Sequence, residues 1–436
     1  MKTLQYPQML FVYRQPTVYS RLGEFSFYLL LSYILFGTST PFPERDGFNP
    51  ENATSIYNQI FFSLSLVCSF ISLIPLRMEV VEIFRREKLL LILLGWCTLS
   101  LMWSVYPFIG VKRIVLLVAG TSSSLAILLH SRGSSHMFTR IKYILMTYLL
   151  ITLVSVLVIP GAIDPKFGTW RGLEPTKNNL GQVAIVCLIM LFIIRQTEPE
   201  HKRKHTLIFL VIAALILLGS WSVTSIGVLV GLLMVGLLVW VIDVAFNSEP
   251  TARVLSTVFL FGFTILFAGT MLLAPDLLTS IPNSIGKDIT FSGRTFLWES
   301  MWVEIQGHWW FGTGYAGFWN PESVGMEILH EEFVWLPNQA HNGYLDVLNE
   351  LGLIGLIIFS ALIVRYIFIA SRIGEGFYWH WFIAAMLVMN LQESTFLRPH
   401  NFFNAVFLFA YVLLFVQLYF SDIRRFGADE KITSPN

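Results

Sequence analysis

Charge is what this sequence has little of. Of its 436 residues, 13% are Asp, Glu, Lys or Arg and 55% are hydrophobic, whereas a soluble domain carries about 25% charged residues. So little polar surface cannot coat a globule of this size, which excludes a soluble enzyme. Cysteine is scarce too. Cys68, Cys97 and Cys187 are odd in number and lie in apolar runs, as small core residues would, and not as a disulfide framework or metal cluster. Neither sign of charge prevails, the formal net charge being +1, so composition points to no nucleic-acid partner. G-x-S-x-G, Walker A and H-E-x-x-H sequences are all missing, which removes serine-elbow, P-loop and zincin chemistry. Nor is there a string of intramembrane acids of the kind that ion-coupled transport uses.

Long apolar runs are what the chain has instead. Segments 56–76, 89–103, 143–159, 207–221 and 402–420 hold almost no charge, and most approach the roughly 20 residues a helix needs to cross a bilayer. An all-α polytopic membrane protein is expected, with about twelve transmembrane helices near 22–40, 56–76, 89–105, 113–130, 143–160, 179–195, 207–220, 224–242, 254–274, 350–371, 379–396 and 402–420. Between the seventh and eighth, Gly219 to Ser225 must form a tight turn or an irregular break, and polar backbone at membrane depth needs protein or water around it. Lys2, Arg14 and Arg21 precede an apolar stretch with no small-residue cleavage site, which reads as a retained first helix. Placing both termini in the cytoplasm puts 20 of the 29 Lys and Arg residues inside, as the positive-inside rule favours.

This layout divides the chain into an N-terminal membrane bundle (1–274), one large extracytoplasmic loop (275–349), C-terminal spans (350–420) and a polar cytoplasmic tail (421–436). A loop of that length is usually functional. It holds Trp298, Trp302, Trp309, Trp310, Trp319 and Trp335, which amphipathic helices lying at the membrane interface would explain.

Chemistry is sought among the basic residues left outside. Arg45, Lys112 and Arg113 fit interfacial anchors, whereas Arg171 and Lys177 lie in "GTWRGLEPTKNNLGQ" (168–182), Arg294 in "FSGRTFLWESMW" (291–302) and Arg398 in "FLRPHN" (396–401). Any one of them could pair with a loop carboxylate such as Glu174 or Glu299. Several on one face favour an anionic ligand, for which the planar guanidinium fork is suited. His308, His330, His341 and His400 fall outside as well, but no two stand at zinc-ligand spacing. His341 is distinguished by Asn342, Asp346 and a helix entrance beside it, and an imidazole, with its ordinary pKa near 6.5, suits a general base at neutral pH. "GTGYAGF" (312–318) fits G-x-G-x-x-G, yet that fingerprint needs a βαβ unit. Here it reads as a glycine-rich turn that bends tightly or lets backbone approach a ligand.

Three stretches taken in order carry a resemblance. "WRGLEPTKNNLG" (170–181), "SGRTFLW" (292–298) with "FGTGYAGFW" (311–319), and "AHNGYLDVLNELGLIGL" (340–356) resemble the O-antigen ligase/polymerase superfamily, the first looking most like its exopolysaccharide-polymerase branch. The resemblance covers about 90 to 420. It implies a GT-C-like, metal-independent, inverting glycosyltransferase that uses no cofactor. Such an enzyme moves a glycan from undecaprenyl diphosphate, on the outer face of the bacterial inner membrane, to an acceptor hydroxyl on lipid A–core or on a second lipid-linked glycan. By the family pattern His341 deprotonates the acceptor and Arg294 binds the diphosphate, with Asn342, Asp346, Tyr344 and Asn178 in support. Many ligases carry an arginine between the seventh and eighth spans. This chain has Ser222-Val223-Thr224-Ser225 there, which tilts it toward polymerase-like relatives and leaves Arg171, Lys177 and Arg398, in that order, as candidates for the second diphosphate cation. The competing class is a transporter or channel for an anionic or lipid-linked sugar, which would need a polar path through the spans; a non-catalytic assembly subunit is the third.

Overall fold

An apolar segment in lipid can satisfy its backbone only within itself, as a helix does, and helices dominate the computed structural model, which describes residues 17–37, 56–131, 135–246, 294–319, 337–373 and 377–433. The helices are α1 (Val18–Ser32), α2 (Ile56–Leu73), α3 (Arg77–Arg86), α4 (Leu89–Leu99), α5 (Pro107–Ser131), α6 (Ser135–Val158), α7 (Lys177–Thr197), α8 (Glu200–Ser220), α9 (Val223–Phe246), α10 (Arg294–Gly307), α11 (Gly343–Arg372), α12 (Phe377–Met389) and α13 (Phe402–Thr433). Among the described residues seven helices are long and apolar enough to cross a membrane, and Leu89–Met102, Val223–Leu237 and Tyr378–Met389 are shorter apolar ones. Of the twelve expected spans, 254–274 lies outside the described residues.

Helices α1, α2 and α5 pack together, α7 packs on α8, and α13 lies against α5. The centre is formed by α7 and by α13 over 402–419, where most apolar residues are buried. Lipid tails are as apolar as leucine, so small and hydroxyl-bearing residues supply the close fit between such helices. Ser26 of α1, Ser65 of α2 and Ser123 of α5 form a buried hydroxyl triangle with Oγ separations of 3.0, 2.6 and 2.9 Å. The turn after α8 is tight: Trp221 closes the helix in the left-handed region at φ 51°, and α9 begins at Val223. A Cβ on Gly181 of α7 would stand 2.5 Å from Ser222 Cβ, so small residues at this crossing let α7 meet the turn.

Two of the helix limits that differ from expectation bear on the site. The span expected over 379–396 ends at Met389. Asn390 redirects the chain there: its Nδ2 donates to Met386 O at 2.8 Å and to Thr395 Oγ1 at 2.7 Å, and its Oδ1 accepts from Thr395 N at 2.8 Å. Local side-chain bonds thus replace the helical ladder, and 390–401 is an irregular segment. The span expected to begin at 350 starts at Gly343. Asn342 caps it, accepting from Tyr344 N and Leu345 N, the role for which asparagine is favoured.

Helix α11 is broken at Gly352 (φ 68°, ψ −175°). The freed backbone groups are met by the glycine-rich turn: Asn349 O accepts from Thr313 N at 2.8 Å, Glu350 O from Gly314 N at 2.9 Å, and Leu353 N donates to Trp309 O at 2.8 Å. Leu351 O accepts from Trp96 Nε1 at 3.0 Å. A Cβ on Gly352 would fall 2.2 Å from Trp310 O, and one on Gly312 would fall 2.6 Å from Glu350 O. What the turn approaches closely is therefore the opened backbone of α11.

Candidate active site

Helix α10 starts with Arg294 and carries Leu297, Trp298 and Met301 one and two turns along. Leu297 and Met301 pack with Phe318, Trp319 and Ala340 in a small separate core. Trp298 Nε1 donates to Ala340 O at 2.8 Å. This packing fixes the start of α10 against the chain at His341.

The two meet on Glu393, in the irregular segment after α12. Arg294 donates to Glu393 Oε1 at 3.1 Å, and His341 Nδ1 lies 3.3 Å from Glu393 Oε2. Asn178, in the first turn of α7, donates its Nδ2 to the same Oε1 at 3.3 Å. Arg294 further donates to Gln392 O at 2.5 Å and Gln392 Oε1 at 3.1 Å, and its other terminal nitrogen stands 3.3 Å from His341 Nδ1. Gln339 Nε2 is also 3.3 Å from that nitrogen. The Glu393 side chain is 5% exposed and that of His341 21%, so the carboxylate lies beneath and the imidazole reaches toward the surface. Burial works to raise the Glu393 carboxyl, but the His341 hydrogen bond and the Arg294 charge outweigh it and hold the group below the ordinary carboxylate range.

The other expected residues fall into two groups. Arg398 donates to Asp346 Oδ2 at 2.7 Å, while Asp346 Oδ1 accepts from Trp319 Nε1 at 2.8 Å and from Ala340 N at 3.1 Å. Asp346 thus faces Arg398 and the backbone before His341. Tyr344 stands edge-on to Phe396, at 5.2 Å between centroids, and donates its hydroxyl to Leu387 O at 3.0 Å. Arg171 is buried and donates Nε to Gly161 O at 2.6 Å. Lys177 Nζ lies 4.8 Å from the centroid of the Phe167 ring. The structure therefore gathers His341, Arg294 and Asn178 on one carboxylate, and sets Arg398 with Asp346 in a neighbouring pair. Arg171 and Lys177 lie on the chain that leads to Asn178.

Of the anchors, Arg113 faces Glu350 at 3.8 Å, whereas Arg45 lies outside the described residues, as do His330 and Trp335. His308 lies 3.8 Å from Glu304. His400 packs edge-on to Phe62 at 5.3 Å between centroids. Trp302 and Trp310 are exposed as an interface would want, but Trp319 is buried on Asp346. Among the described residues no group of three or more His, Cys, Asp or Glu side chains is gathered as a metal site would need.

The sequence hides Glu393, because an apolar run over 379–396 reads as one helix with Glu393 near its outer end. The available signal was Gln392-Glu393-Ser394 interrupting an apolar run shortly before Pro399.

Residues 206–360 match the family model described as O-antigen ligase. The matched segment includes Arg294 and His341, while Glu393 and Asn178 reach the site from outside it. The chain is 34% identical over 92 residues to "Exopolysaccharide production protein ExoQ" of Rhizobium meliloti (strain 1021), covering 20% of this chain and 21% of that protein. It is 21% identical over 358 residues to "Putative polysaccharide ligase RP358" of Rickettsia prowazekii (strain Madrid E), covering 78% of each. The resemblance to O-antigen ligases and exopolysaccharide proteins drawn from the motifs thus has independent support in both the family match and the relatives.

Proposed function

We propose that this protein is a membrane glycosyltransferase that moves a glycan from undecaprenyl diphosphate to a sugar hydroxyl at the outer face of the bacterial inner membrane, as an O-antigen ligase or a surface-polysaccharide polymerase. The acceptor is lipid A–core for a ligase or a second lipid-linked glycan for a polymerase. The observation that carries this reading is the convergence of Arg294 and His341 on Glu393. In the reaction, the acceptor oxygen attacks the anomeric carbon from the face opposite the diphosphate. The carbon–oxygen bond to the leaving group breaks with inversion, and the hydroxyl proton passes to His341.

Diphosphate is a good leaving group, so the site needs positive charge where the leaving oxygens gain their electrons. Arg294 supplies it in place of a divalent ion, with Arg171 and Lys177 as candidates for a second cation. Glu393 accepts from the Nδ1–H tautomer of His341, leaves the basic lone pair on Nε2, and stabilises the imidazolium once the proton arrives. It also holds Arg294 until the diphosphate binds. The layout behind this proposal is the twelve-span, GT-C-like one, with both termini cytoplasmic and the site extracytoplasmic.

The test is transfer by purified protein in detergent, with EDTA throughout. An undecaprenyl-diphosphate oligosaccharide is offered with lipid A–core and, separately, as its own acceptor. Product from wild type but not from folded His341→Ala or Arg294→Ala supports the transferase, and the productive acceptor separates ligase from polymerase. Undiminished turnover in His341→Ala removes the base. No product with any acceptor brings the transporter or assembly-subunit class forward.

A further inference from the structure

His341 occupies the left-handed region of backbone space, at φ 51°. A side chain other than glycine persists there only where the surroundings hold it. Both flanking peptides are held. Before it, Ala340 is fully buried; its N–H donates to Asp346 Oδ1 at 3.1 Å and its carbonyl accepts from Trp298 at 2.8 Å. After it, Asn342 N donates to Ser394 Oγ at 3.1 Å, and Gly343 N to Asn390 O at 2.8 Å. Asp346 is the one charged side chain among these partners, and its own position is fixed twice over, by Trp319 at 2.8 Å and by Arg398 at 2.7 Å. Burial disfavours the Arg398 charge, but Asp346 and Glu350 outweigh it and keep the guanidinium protonated.

We propose that Asp346, locked by Arg398 and Trp319, is a positioning residue that holds His341 in its left-handed conformation through the Ala340 amide, and that Arg398 belongs to this clamp and not to the diphosphate-binding set. The inference rests on His341 being the base, as proposed above. Its chemistry is that of preorganisation: a base displaced by about 1 Å can lose about 100-fold in rate while the substrate still binds.

The experiment takes the full-length protein in detergent through the same transfer assay. It also measures, by peptide mass spectrometry, how fast diethyl pyrocarbonate modifies His341. In Asp346→Ala, kcat is expected to fall about 100-fold with the donor KM within about 3-fold of wild type. Asp346→Asn, whose Oδ1 still accepts from both N–H groups, should recover to within about 10-fold of wild type. His341 should be modified faster in Asp346→Ala than in wild type, and at an intermediate rate in Asp346→Asn, whose Nδ2 cannot accept from Arg398. Arg398→Gln should lower kcat and leave the donor KM unchanged.

Should Asp346→Ala fail to fold, Trp298→Phe breaks the other Ala340 bond while keeping an aromatic ring, and carries the same expectations. Wild-type kcat and an unchanged modification rate in Asp346→Ala would overturn the clamp. An Arg398→Gln effect confined to KM would return Arg398 to the diphosphate. If wild type transfers nothing to any acceptor, the proposed function fails, and the modification rates still decide the clamp.

Discussion

Two buried glutamates, Glu87 and Glu393, are each paired with an arginine, and the difference lies in what surrounds them. Glu87 follows the last turn of α3. It accepts from Arg365 of α11 at 2.8 Å and from the Tyr411 hydroxyl of α13 at 2.7 Å. Both partners come from within long helices whose courses are set by packing. Arg365 lies 19 residues beyond Asp346 on α11, about 28 Å of helical rise at 1.5 Å per residue, so Glu87 belongs to the opposite end of the bundle. The partners of Glu393 are instead a first-turn arginine, a first-turn asparagine and a histidine in a strained loop. One cluster ties packed helices together. The other converges from element ends, where side chains can be re-aimed toward a ligand, and it keeps an imidazole partly open to solvent. Pairing is common to both clusters; what differs is where the partners come from.

Substitution should pull the two apart. His341→Ala is expected to lower turnover by about 10²–10⁴-fold, the usual worth of a positioned base, with little change in thermal unfolding. Glu87→Gln should do the reverse. Removing one partner of a buried pair costs about 3–5 kcal/mol, and because Arg365 keeps some exposure a loss on the order of 2–3 kcal/mol is expected, with kcat and KM of the folded fraction unchanged. Turnover and denaturant unfolding on both variants check this. A Glu87→Gln protein that is stable but inactive would break the comparison.

Gly352→Ala sits between these extremes, since it disturbs the scaffold that carries both clusters on α11. Alanine at φ 68°, with its Cβ 2.2 Å from Trp310 O, should cost about 1–3 kcal/mol of stability and lower turnover as well. A thermal melt paired with the transfer assay reads both effects.

The remaining effects are those of pH. The Glu393 carboxyl is held below its ordinary value of 4.5. Its contribution to stability is therefore complete above about pH 4.5 and is lost as pH falls through the lowered native value. The stability gap between wild type and Glu393→Gln should shrink as pH falls below about 4.5. His400 acts in a different window. Burial, with the Arg113 charge, lowers its pKa from 6.5 to about 4, so the unfolded chain takes up the proton first and stability declines as pH falls from 6.5 toward 4. His400→Phe should flatten that decline, as unfolding midpoints across the range will show.

How far the sequence discloses this arrangement depends on the range of the interactions. Apolar runs place the helices because lipid leaves the backbone few alternatives, and the Gly-Arg and His-Asn stretches single out Arg294 and His341. Asn390 ends α12 through bonds to Met386, Thr395 and Phe396, but an apolar run conceals that turn, and Glu393 went unnoticed with it. The glycine-rich turn reads as a tight bend or an approach of backbone to a ligand, and it is another helix that it approaches. Its partner, the broken helix at Gly352, lies tens of residues away and has no local signature. Trp319 reads as an interfacial residue until Asp346 is seen to take its indole N–H.

The measurement that tests the account most directly is the turnover of Arg294→Ala, His341→Ala, Glu393→Gln and the triple variant, each confirmed as folded. Groups that act as a unit show grossly non-additive losses. A triple variant about as slow as the slowest single one is the predicted result. Penalties that multiply across the three sites would contradict the claim that Glu393 joins the cation and the base into one device.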